Sequence, residues 1–144
     1  MRRALVFLAL IGLATCGAGC SSSGDADRLA GAWSVEEVVG GPAFPPGTDP
    51  EMRFSTAQQE MDGTSGCNSF GSDYSADGNG SLSFGPIEST AIGCPEPILA
   101  VEASLFDALG VVDGYVFDGT MLVLTDEEDA PLLRLDPIVA EAAG

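Results

Sequence analysis

Cys67 and Cys94 are the side chains in this 144-residue chain best equipped for covalent chemistry, and the first sits in a glycine-rich run, Gly63-Thr64-Ser65-Gly66-Cys67-Asn68. A cysteine nucleophile needs a neighbouring base to hold it as the thiolate. The chain contains no histidine, which excludes a Ser-His-Asp or Cys-His apparatus, and a His-rich zinc site, within one chain. Paired carboxylates serve as acid and base in glycoside hydrolysis. Here 22 Asp and Glu residues, mostly in turn-like stretches, single out no pair. Asp73, Asp77 and Asn79, and the run Asp126 to Asp129, carry oxygens of the kind calcium takes, without EF-hand spacing; solvated turns need no metal. The residues therefore point away from an enzyme, and no cofactor or metal is expected.

The start of the chain fixes how the cysteines are counted. Arg2 and Arg3 precede an apolar run, Ala4 to Ala14, too short to span a bilayer and characteristic of a secretory signal peptide. The run ends in Gly17-Ala18-Gly19-Cys20, which resembles a bacterial lipobox with Gly17 where leucine is usual. The expected organisation is a lipoprotein signal peptide over residues 1–19, a lipidated Cys20 heading a flexible tether over 20–28, a folded domain over 29–137 and a flexible tail over 138–144. Leu13-Ala14-Thr15-Cys16 is a competing match, and ordinary cleavage with release of a soluble secreted protein is the alternative. Cleavage before Cys20 leaves Cys67 and Cys94 as an even pair in an oxidising compartment, where one disulfide is expected and two buried free thiols are the alternative.

The charge is −17, from 22 acidic residues against five arginines and lysines. Removing residues 1–19 discards Arg2 and Arg3 and leaves a net charge of −19. Such a surface repels nucleic acid and anionic headgroups. It favours cationic partners, although solubility alone also accounts for it.

These side chains must be held by mostly β structure. Trp33 to Val39 alternates apolar and polar residues, and short strands are predicted at Met52–Ser55, Gln58–Asp62, Phe70–Ser75 and Ser81–Phe84. Pro95-Glu96-Pro97 opens a helix whose Ile98, Val101, Leu105 and Leu109 share a face before Gly110 stops it. Gly114–Phe117 and Thr120–Thr125 flank an Asp118-Gly119 hairpin turn, and Pro131–Asp136 is the last strand. About seven or eight short antiparallel strands with one amphipathic helix make a mainly β (α+β), barrel-like meander, closed so that few edges stay exposed. Within it, Gly63 and Gly66 permit positive φ and Asn68 bonds its own backbone, so the turn at Cys67 reads as architectural. Trp33, Phe70, Tyr74, Phe84 and Tyr115 read as core; a ligand site among them requires an open interior.

The order Gly66-Cys67-Asn68, Phe70, Tyr74, then Thr90 and Cys94, followed by a helix and a β-hairpin, resembles the META domain of HslJ-like bacterial envelope proteins, over roughly Leu29 to Pro137. The resemblance implies a small barrel and a non-enzymatic role in binding or in support of the envelope under stress. Its expected partners are the membrane, through the lipid anchor, and an unknown envelope protein or small ligand, with no nucleic acid. A small-ligand or peptide-binding barrel, including a secreted-protease inhibitor, is the alternative.

Overall fold

Alternation brings the apolar side chains of each strand to one face, and in the computed structural model, which describes residues 23–140, those faces turn onto a common core. Strand β1 (Gly31–Val38) buries Trp33 and Val35, then changes parity and buries Val38. The change is a bulge: Val35 pairs with Leu135 but Glu37 with Arg134, so one extra residue enters β1. Both glutamates of the bulged stretch, Glu36 and Glu37, face solvent as a result.

Strands β2 (Glu51–Ser55), β3 (Glu60–Thr64), β4 (Ser69–Ala76) and β5 (Leu82–Phe84) follow on one side of β1, and a two-residue strand β6 (Glu88–Ser89) also pairs with β4. On the other side lie β9 (Pro131–Pro137), β8 (Met121–Thr125) and β7 (Gly114–Asp118), giving the order β5-β4-β3-β2-β1-β9-β8-β7. The path bends round until β5 meets β7. There Ser81 pairs with Gly114, the Tyr115 N–H donates to the Gly80 carbonyl at 2.8 Å, and the Leu82 N–H donates to that of Asp113 at 3.1 Å. Gly114 permits this approach: a Cβ there would lie 2.9 Å from both the Gly80 carbonyl oxygen and Thr125 Oγ1. The result is the mainly β, nearly closed antiparallel barrel of eight strands that the sequence predicts.

Side chains fill its interior. Phe54 meets Tyr74 edge-on at 5.2 Å and Tyr115 meets Phe117 at 5.8 Å, with Met52, Met61, Leu82, Leu122, Leu124, Leu133 and Leu135 packed around them. Helix α2 (Glu96–Leu109) closes one end with Val101, Leu105, Ala108 and Leu109, and its Phe106 packs against Phe70. The β3–β4 turn lies at that same end, joined to α2 through Glu102.

Residues 1–22 and 141–144 lie outside the described residues, and with them the expected signal peptide, Cys20 and most of the expected tail. Part of the expected tether is ordered: Ser23–Asp27 form a short helix α1 at the end of the barrel opposite α2. Leu29 just after it is fully buried, and its carbonyl accepts the Trp33 indole N–H at 2.9 Å. The Arg28 guanidinium lies 3.8 Å from the centre of the Phe117 ring and donates to the Gly119 carbonyl at 3.3 Å. Ile138, assigned to the tail, still donates its N–H to Ala32 at 2.9 Å. Among the described residues no helix is long and apolar enough to cross a membrane.

Two turn positions differ from expectation, each through a left-handed residue. The β7–β8 loop is Gly119-Thr120 rather than Asp118-Gly119, because Asp118 pairs with Met121 and Gly119 takes φ 63° at the first loop position. Gln59, placed in a strand by the sequence, has φ 56° and ends the β2–β3 turn, so β3 starts at Glu60.

Candidate functional site

The motif residues converge where the β3–β4 turn meets the segment leading into α2. Residues 65–68 bridge the paired Thr64 and Ser69. The Ser65 N–H donates to the Asn68 carbonyl at 2.9 Å, and the Asn68 N–H returns to Ser65 Oγ at 2.9 Å. Gly66 holds φ 90°, and a Cβ on it would lie 2.6 Å from Thr48 Cγ2. Both conditions call for glycine.

Asn68 is the centre of the cluster. Its side chain is almost wholly buried, at 2 % exposure, yet every hydrogen-bonding position is used. Oδ1 accepts the Ile92 N–H at 2.7 Å and the Thr90 hydroxyl at 2.9 Å. Nδ2 donates to both oxygens of Glu102, each at 3.0 Å, and to the Ile92 carbonyl at 3.3 Å. The neighbours fix the amide's orientation, since a backbone N–H faces one end while a carboxylate and a carbonyl face the other. Ser65 Oγ also donates to Glu102, and Thr90 pairs with Ser69 through its N–H at 3.0 Å and its hydroxyl at 3.1 Å.

The Cys67–Cys94 disulfide lies beside this network, with Cα atoms 6.2 Å apart and a separation of 27 positions in sequence. Of the expected motif residues, the structure brings together Gly66, Cys67, Asn68, Thr90 and Cys94. Phe70 lies just beneath, against Phe106, whereas Tyr74 is farther along β4 in contact with Phe54. Sequence reasoning missed Ser65, Glu102 and the Ile92 backbone. Glu102 carried a signal: it stands four residues after Ile98 and three before Leu105, on the flank of the buried helical face.

The geometry describes a clamp between the β3–β4 turn, the segment before α2 and α2 itself. Ser65 is fully buried, its hydroxyl engaged by Glu102 and by two backbone N–H groups, those of Asn68 and Cys67, so it presents no free nucleophile. Two of the acids considered as calcium ligands, Asp77 and Asp126, close turns with their side chains. Asp77 Oδ1 accepts the N–H groups of Asn79 and Ser81 at 2.9 and 3.0 Å, and Asp126 Oδ1 accepts those of Glu128 and Ala130, both at 2.9 Å.

A nearly closed eight-stranded antiparallel barrel, capped by one helix and clamped at Asn68, defines the class. The chain belongs to the META domain family, which matches residues 27–137. It is similar to a protein from Burkholderia xenovorans solved by NMR, at 25% identity and a TM-score of 0.60, covering 79% of this chain and 86% of that one. A second NMR structure matches at 18% identity and a TM-score of 0.57, covering 76% of this chain and 90% of the other. A crystal structure of a duf4847 family protein from Bacteroides vulgatus matches at 13% identity and a TM-score of 0.55, covering 78% and 95%. The last two show a shared fold alone. No curated protein is similar enough to register as a match.

Proposed function

We propose that this is a non-enzymatic META-domain protein of the bacterial cell envelope, anchored by lipid on Cys20, that acts through binding at its outer surface or through support of the envelope under stress. The observation that carries the reading is the spent chemistry of the motif: Asn68 has all its polar positions occupied, and Cys67 is held in a disulfide. A packed interior moves recognition to the outside of the barrel. One outer groove there runs along β3 and β4 between Glu60, Asp62, Asp73 and Glu88, and its charge suits a cationic partner.

Native mass spectrometry of the full-length protein, gently extracted from the envelope of its source cells, tests the reading. An acylated Cys20 with additional bound mass is expected. An unmodified mature mass removes the anchor, and turnover abolished by substituting a carboxylate removes the non-enzymatic assignment.

A further inference from the structure

We propose that Asn68 is the positioning residue for the Cys67–Cys94 bond: its side chain docks residues 90–92 on the β3–β4 turn independently of the covalent link, so that the bridge opens and recloses by thiol–disulfide exchange while the barrel stays folded. The inference does not depend on anchoring or on any binding partner.

Five hydrogen bonds join the two segments that carry the cysteines, and none uses sulfur. Three belong to the Asn68 side chain, reaching Thr90 Oγ1, the Ile92 N–H and the Ile92 carbonyl; two are the Ser69–Thr90 pair. Cys67 is adjacent to Asn68, and Cys94 follows Ile92 by two positions. Burial of Asn68 shields its bonds from competing water. Holding both segments at fixed distance raises the effective concentration of one thiol at the other.

The sulfurs are placed for exchange. Both cysteines are half-buried, and the residues around them, Gly66, Ile92, Gly93 and Pro95, are exposed, Ile92 at 59 %. Neither cysteine belongs to the hydrophobic cluster of the barrel, so opening the bond removes no packing from the core. After reduction the Cys67 thiol has an acceptor at hand, because its Sγ lies 3.5 Å from the Ile92 carbonyl oxygen.

The exchange balances with a small thiol of the glutathione class. Its thiolate attacks one sulfur, breaks the Cys67–Cys94 bond and forms a mixed disulfide, and the released protein sulfur takes a proton. A second small thiolate attacks the mixed disulfide, freeing the other cysteine, which is protonated in turn. Two electrons and two protons pass to the protein, and the small thiols leave as their own disulfide. Oxidation is the reverse.

The test equilibrates the full folded chain with reduced and oxidised glutathione, counting protein thiols by alkylation and mass and following the fold by amide NMR. The wild type is expected to keep its dispersed spectrum when fully reduced. Asn68→Ala is expected to shift the equilibrium about tenfold toward the dithiol, which is about 30 mV for this two-electron couple. Thr90→Val, a milder change at an exposed position that removes the hydroxyl's bonds to Asn68 and Ser69, is expected to shift it in the same direction by about threefold, the low end of the hydrogen-bond scale, and serves if Asn68→Ala does not fold. Gly114→Ala destabilises the barrel away from the cysteines and is expected to leave the potential unchanged. Loss of the native spectrum on reduction overturns the proposal, as does a wild-type potential in the Asn68 and Thr90 variants or an equal shift in Gly114→Ala.

Discussion

Both carboxylate oxygens of Glu102 lie 3.0 Å from the side-chain nitrogen of Asn68, 34 residues away in sequence and on a different element. The contact ties the capping helix to the β3–β4 turn, and the same carboxylate receives the Ser65 hydroxyl. Glu102→Ala would strip the buried Ser65 hydroxyl and one Asn68 N–H of their shared acceptor. A loss of about 2 kcal/mol is expected, following the cost of unpaired buried donors, and calorimetry should show a melting temperature lower by about 10 °C. Glu102→Gln keeps one acceptor oxygen and should lose less.

Replacing Cys67 or Cys94 with serine removes the same cross-link. Each single variant should lose about 3.5 kcal/mol in the chain-entropy account of a loop this long. Denaturant titration of the two variants should give equal losses, and the double variant should lose little more than either.

Gly114 and Gly119 separate two reasons for glycine. At Gly114 a Cβ meets backbone across the barrel seam, whereas at Gly119 the space is open and only the left-handed φ of 63° disfavours a side chain. Gly114→Ala should cost about 1 to 3 kcal/mol, as overpacking does, and hydrogen exchange at the Tyr115 and Leu82 amides should quicken. Gly119→Ala should cost about 1 kcal/mol, the penalty for a left-handed alanine, and leave those amides protected.

The two tyrosines give the fold an alkaline limit. Burial raises the pKa of Tyr74 above the ordinary 10.0. Burial also raises that of Tyr115, assisted by the Asp25 and Asp77 charges and opposed by Arg28. A phenol with a raised folded pKa contributes stability that is complete below its unfolded value and lost as pH climbs through the folded one. Unfolding free energy should therefore fall with rising pH only above about 10, the unfolded tyrosine value. Tyr115→Phe, which also loses the hydroxyl bond to the Asp77 carbonyl, should weaken that dependence. Tyrosinate absorbance during alkaline titration checks both groups, since the chain has only two tyrosines.

Cys20→Ala should move the protein from the membrane to the soluble fraction of its source cells. Retention in the membrane fraction would contradict a lipid anchor at that residue.

The barrel was legible because Trp33, Val35, Met52, Phe54, Leu122 and Leu124 alternate over short runs, and the helix because Ile98, Val101, Leu105 and Leu109 repeat at helical spacing. Less visible was anything fixed by contact rather than pattern. β6 has only two residues and exists because Phe70 and Gly71 pair with it. Helix α1 is too short to form through propensity alone and is held beside the buried Leu29 and the packed Arg28. At the clamp, Gly66, Cys67 and Asn68 stood out because turn chemistry favours particular residue types. Ser65 and Glu102 did not, since a serine in a turn and an acid on a helix are ordinary until the fold brings them together.

Arg28 fastens the start of the domain to the tip of the β7–β8 hairpin, at the end of the barrel farthest from α2. In the lipid-anchored reading this sets an orientation. Three residue steps separate Cys20 from Ser23, a reach of about 10 Å, so the hairpin tip would stay close to the bilayer surface. The α2 cap, with Asn68 and the disulfide, would then project outward as the distal face, the side that soluble molecules in that compartment meet first.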